Sequence, residues 1–140
     1  MKLTETKLID KMKEVEQFLA SKNGEFALFA LLEREDTPGL WDVVVSASWL
    51  GTTREDILTI AQQVTLTLRP QDMTQIARIV PVLPDSEFVL FLQDNYELLN
   101  KTGPVVRLGT AILSGIELRS GYILAASAPS TARRREAIAA

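Results

Sequence analysis

The chain has 140 residues, 46% of them hydrophobic and 24% charged, with a net charge of −3. That length buries a working core in one domain, the composition is that of a globular protein, and the acidic balance argues against a broad nucleic-acid-binding face. The absence of Cys and His removes disulfides, thiol nucleophiles, zinc-thiolate sites and the Ser-His-Asp triad, leaving carboxylate–Mg²⁺ chemistry or a Ser–Lys pair as the enzymatic options.

The opening segment MKLTETKLIDKMKEVEQFLA alternates charges through its apolar positions. Without a continuous apolar h-region it is not expected to act as a signal peptide, and no run is long enough to cross a bilayer. A cytoplasmic chain with no membrane partner is the expectation. Residues 4–22 are predicted to be a helix, with Leu8, Met12, Val15 and Leu19 on one face and Ile9 and Phe18 widening it. Thr4 or Thr6 can cap its start, and Asn23-Gly24 supplies a left-handed residue to end it. EFALFALLE and LWDVVVSASW follow, separated by REDTPG. The Pro38-Gly39 turn makes these an antiparallel hairpin, and apolar residues on both faces predict burial on two sides.

Residues 53–68 are predicted to be a second helix, with Ile57, Ala61, Val64 and Leu68 in register and Pro70 stopping it. QDMTQ adds a helical turn, and IARIVPVL makes a short strand that Pro81 places at an edge or a strand end. DSEFVLFLQDNYELL fits a helix through Phe88, Phe91, Leu92, Tyr96 and Leu99, capped at Asp85-Ser86. The remaining apolar stretch alternates as strands over 105–112 and 116–124. Gly103, Gly109, Gly115 and Gly121 recur every six residues, but Thr102, Ser114 and Ser120 stand where a β-helix needs aliphatic residues. Hairpin turns at Ser114-Gly115 or Ser120-Gly121 explain the spacing better. Residues 127–140 change composition and form a tail or a short docked helix.

The expected fold is therefore α+β, a single domain over 1–126 with helices packed on a largely antiparallel sheet, in the order α-β-β-α-β-α-β-β. The most patterned stretch is GLWDVVVSASWLGTTRED, Gly39–Asp56. Thr52 with Glu55, and Thr53 with Asp56, have the spacing of a capping box. A helix start after a strand also attracts anions, and Arg54 adds charge there, but Glu55 and Asp56 occupy the place an anion would take. Trp41 and Trp49, eight apart, would share a strand face with Val43, Val45 and Ala47. That placement favours a core or a subunit interface over a stacking ligand site.

An acidic set of Glu33, Glu35 and Asp42, with Asp36 at the same hairpin tip, offers oxygen ligands to a hard cation, interrupted by Arg34. A solvated turn is the simpler account of it. Glu5-Thr6-Lys7 is the only Glu-x-Lys or Asp-x-Lys tripeptide, and it stands on the first helix rather than on a nuclease-type strand. Lys101-Thr102 lacks the glycine of a phosphate loop, and no G-x-G-x-x-G occurs. Arg133–Arg135 form a basic cluster that a third, weaker reading assigns to RNA or an acidic partner.

The strand WDVVVSASWL, the following helix and IARIVPVLPDSEFV, with Gly115–Leu118 and Tyr122-Ile123 later, resemble a group of small bacterial proteins. These motifs are hydrophobic and structural, spanning residues 25–125, and the resemblance implies no activity and no functional residue. The reading is a non-catalytic binding or assembly module that self-associates through a strand edge or aromatic face, with no cofactor or metal. Its low-ranked binding residues are Trp41, Trp49, Thr52, Thr53 and Arg54. The alternative is a carboxylate- or metal-dependent enzyme acting on a phosphate-containing substrate, using Asp42, Glu33 or Glu35 with the Thr52–Arg54 loop.

Overall fold

A computed structural model describes residues 5–99, 106–108, 111–113 and 116–126, with 94–99 and the segments between 106 and 116 followed along the backbone. Helix α1 (Glu5–Asn23) carries Leu8, Met12, Val15 and Leu19 inward as the periodicity requires. It ends where Gly24, at φ +117, returns its N–H to the Ala20 carbonyl at 2.9 Å. Phe18 departs from expectation. It lies a third of a turn off the buried stripe and is 43% exposed, with the Lys22 ammonium over its ring 5.0 Å from the centre.

Strands β1 (Leu28–Arg34) and β2 (Trp41–Ser46) form the antiparallel hairpin. Nearly every position of both is buried, because each face of the sheet is covered. Phe29, Leu31, Trp41, Val43 and Val45 face α1 and α2 (Arg54–Thr67); Leu28, Ala30, Leu32 and Val44 face α3 (Glu87–Leu99). The result is a sheet between two helices on one side and a single helix on the other.

The α2 stripe that reaches the core is Ile60, Val64 and the adjoining Leu68, while Ile57 and Ala61 are half-buried at its flank. Both sets repeat every four residues, so periodicity alone does not separate them. A 3-10 turn at Met73–Gln75 leads into β3 (Ile76–Pro81), which pairs with β2 in parallel across the α2 crossover. The Val82 N–H points inward to the Val45 carbonyl at 2.9 Å, so the missing N–H of Pro81 falls on the open edge and costs no ladder bond. Ser86 caps α3, its hydroxyl accepting from the Val89 N–H at 3.3 Å. Among the described side chains of this helix Val89, Leu92 and Gln93 are buried, the Gln93 amide donating to the Ala27 carbonyl at 2.9 Å. Phe88 is half-buried and Phe91 half-exposed, whereas the side chains of Tyr96 and Leu99 lie outside the described residues.

The sheet order is β3-β2-β1-β6, with β4 (Val106–Leu108) and β5 (Ala111–Leu113) paired in succession along the far side of β6 (Ile116–Ala126). Every pairing is antiparallel except β2 with β3, so the α+β expectation holds, with six strands among the described residues instead of five. The expected turn at Ser120-Gly121 is absent. Both residues lie within β6, opposite Glu33 and Leu32, just past a bulge at Arg119 that sends Leu118 and Tyr122 to opposite faces. Residues 114–115 and the proposed tail, 127–140 with Arg133–Arg135, lie outside the described residues. The β1–β6 ladder slips at two bulges, and at one of them the Leu124 carbonyl is taken by the Lys13 ammonium, itself 3.2 Å from Glu16. No helix of the described residues is long and apolar enough to cross a membrane.

Candidate functional site

The Gly39–Asp56 stretch is built almost wholly into the fold. Thr53 is the N-cap of α2: its hydroxyl accepts from the Asp56 N–H at 3.3 Å, and the Asp56 carboxylate accepts from the Thr53 N–H at 3.1 Å and the Thr53 hydroxyl at 2.7 Å. These bonds hold the Asp56 carboxyl below its ordinary pKa, the Thr53 hydroxyl contributing most. The carboxylate thus occupies the amides an anion would use. Thr52 and Arg54 are exposed, one on either side of the cap.

The two tryptophans also serve the core. Trp41 packs against Tyr122 with ring centres 5.7 Å apart. Trp49 lies beyond the end of β2, so it does not share a strand face with Trp41. The chain turns at Ala47–Leu50 and lays the Trp49 indole edge-on to Phe26, with its N–H donated to the Gly24 carbonyl at 2.8 Å. Trp49 and Phe26 thus close the C-terminal end of α1 against the sheet.

The acidic set is not brought together. Glu33 and Asp42 face opposite sides of the sheet, because Asp42 pairs with Leu32, the neighbour of Glu33. Glu33 points to the α1–α2 side and accepts from the Gly39 N–H at 2.6 Å and the Ser120 hydroxyl at 2.8 Å, fixing the hairpin turn to β6. Glu35 is exposed beyond β1. Among the described residues no group of three acidic side chains could hold a metal ion.

The sheet instead assembles a row that the sequence did not announce. On the α3 side, Arg34 of β1, Asp42 of β2 and Arg78 of β3 stand side by side across three strands. The Nε atoms of Arg34 and Arg78 lie 3.1 and 3.2 Å from the same oxygen, Oδ2 of Asp42. The Asp42 side chain is 6% exposed, Arg34 23% and Arg78 49%. Two cations flank one buried anion and offset part of the cost of burying it, although Asp42 Oδ1 and Arg34 Nε are left without a hydrogen bond. The signal was available in WDVVVS: a carboxylate in a strand buried on both faces needs a counter-charge. Which arginines answer it depends on register, and β3 reaches Asp42 only through the shift that places Arg78 opposite it.

Fold and site define a single α+β domain whose polar clusters brace the sheet. Compared with protein-family models, curated proteins and solved structures, the chain matches none.

Proposed function

We propose that this chain is a non-catalytic binding and assembly module that pairs with a second copy of itself through the outer face of α3. The observation that carries this reading is Phe91, 51% exposed on α3 with half-buried Phe88 one turn before it, and Leu83, 53% exposed in the turn that precedes the helix. The other exposed apolar side chains lie on other elements. Phe18 lies under Lys22, and Leu58 and Leu66 stand two turns apart on α2 among Thr59, Gln62 and Thr65.

The strand edge is the weaker surface. β3 carries a ladder irregularity at Ala77, the half-exposed Arg78 and Pro81, features that blunt pairing with another strand. Aromatic side chains, by contrast, are enriched where subunits meet, and a two-fold axis would set each Phe91 beside its own copy.

Sedimentation velocity across a concentration series tests this. The wild-type chain is expected to dimerise, and Phe91→Lys to remain monomeric with an unchanged circular dichroism spectrum. A wild-type chain that stays monomeric at its highest soluble concentration overturns the reading.

A further inference from the structure

We infer that Asn23 is a site of intramolecular deamidation, and that the hydrogen bonds closing the end of α1 set its rate. Asn23-Gly24 is the only Asn-Gly pair in the chain, and both residues are exposed to solvent. A backbone nitrogen attacks the preceding asparagine side chain most readily when it belongs to glycine, because no Cβ crowds the ring that forms and the chain turns freely there. The reaction needs only water. Solvent takes the Gly24 amide proton, the nitrogen bonds to Cγ of Asn23, and the Cγ–Nδ2 bond breaks as ammonia leaves. One water then opens the cyclic imide. Cleavage between nitrogen and Cγ gives aspartate, and cleavage between nitrogen and the main-chain carbonyl carbon gives isoaspartate.

The folded chain holds both reacting groups. The Gly24 N–H, whose proton must leave, is donated to the Ala20 carbonyl at 2.9 Å. The departing Nδ2 of Asn23 donates to the Leu19 carbonyl at 3.2 Å. On the other side of Gly24, its carbonyl accepts from the Trp49 indole N–H at 2.8 Å, and that indole packs on Phe26 with ring centres 5.2 Å apart. Attack therefore waits for the last turn of α1 to open, the same event that exposes the Gly24 amide to hydrogen exchange. The product does not restore the turn. Either acid sets a carboxylate at the negative end of the helix dipole and has no side-chain N–H for Leu19, and isoaspartate also lengthens the main chain by one methylene. The modification is thus an irreversible release of the α1 end from the sheet.

Incubation of the full chain at neutral pH tests this, with mass analysis of the peptide 17–25 that cleavage after Glu16 and Glu25 releases. Aspartyl and isoaspartyl forms of that peptide are expected to accumulate in the folded chain about tenfold to a hundredfold more slowly than in urea, since one or two hydrogen bonds must open first. Trp49→Phe should raise the folded rate about fivefold, and Gly24 amide exchange by the same factor, through loss of one bond. Thr53→Ala, weakened by a similar amount at the start of α2, should leave both rates unchanged. Equal rates in the folded chain and in urea overturn the proposal, as does a folded chain in which Asn23 does not react. A wild-type rate in Trp49→Phe removes the gate, and equal acceleration in Thr53→Ala assigns the reaction to global unfolding, so either result overturns it as well.

Discussion

The side chains at the start of α2 convert a local sequence pattern into pH-dependent stability. Asp56 is held below its ordinary pKa by the Thr53 hydroxyl and N–H, and Asp72 by the Arg69 guanidinium bonds at 2.8 and 3.2 Å. A carboxyl depressed in the folded state contributes its stability in full above the unfolded value, near pH 4, and loses it as pH falls through the folded value. Urea midpoints at neutral pH should therefore drop in Asp56→Asn and Asp72→Asn, while their decline on acidification should be shallower than in the wild type. Thr53→Ala removes the cap itself and should cost about 1 kcal/mol by the same measurement. Trp49→Phe keeps the ring against Phe26 but loses the bond to Gly24, again about 1 kcal/mol. Gly24→Ala should cost more, about 1–3 kcal/mol, since φ +117 strains any L side chain and the new Cβ meets the Trp49 ring at 3.4 Å.

Among the helices, α3 is the most informative because it covers its side of the sheet alone. Leu92 is fully buried and Phe91 beside it is half-exposed, so adjacent positions should behave oppositely. Leu92→Ala is expected to cost about 2–5 kcal/mol in equilibrium denaturation, through lost burial and a cavity. Phe91→Ala should leave monomer stability within about 0.5 kcal/mol, its effect appearing instead in self-association. A comparable loss in both variants would mean that the helix presents a different face. The element itself was legible: the 3.6-residue period and the Ser86 cap identify it. Its inward face was only partly so, because Phe88, Phe91 and Leu92 all fit one broad apolar stripe, and only the position of the sheet selects Val89, Leu92 and the polar Gln93 as buried.

At the scale of the whole molecule, the topology brings distant segments together. β6 inserts beside β1, so Arg34 pairs with Leu118 and Glu33 with Ser120, contacts that close most of the chain. Such long-range pairing is slow to form. Two polar locks, the Glu33 carboxylate accepting from Ser120 and Gly39 and the Lys13 ammonium donating to the Leu124 carbonyl, hold β6 in register once it arrives. Glu33→Ala should accordingly loosen both the hairpin turn and the β1–β6 ladder, visible as faster amide exchange at Gly39 and along residues 118–123 relative to α2.

Local chemistry in the sequence determined the helices, the hairpin, the edge position of β3 and the two-sided burial of β1 and β2, since periodicity, capping hydroxyls and proline act over a few residues. It also placed a capping box at the start of α2, leaving Thr52–Glu55 and Thr53–Asp56 as its two registers, of which the structure forms the second. What only the tertiary structure decided is which charges meet. Glu33 and Asp42 look like neighbours in an acidic tip, yet pleating sends them to opposite faces. Asp42 then finds Arg34 from one strand and Arg78 from another. A strand's side-chain direction follows from its own sequence, but its partners follow from strand order and register, and those are settled by the packing of the whole chain.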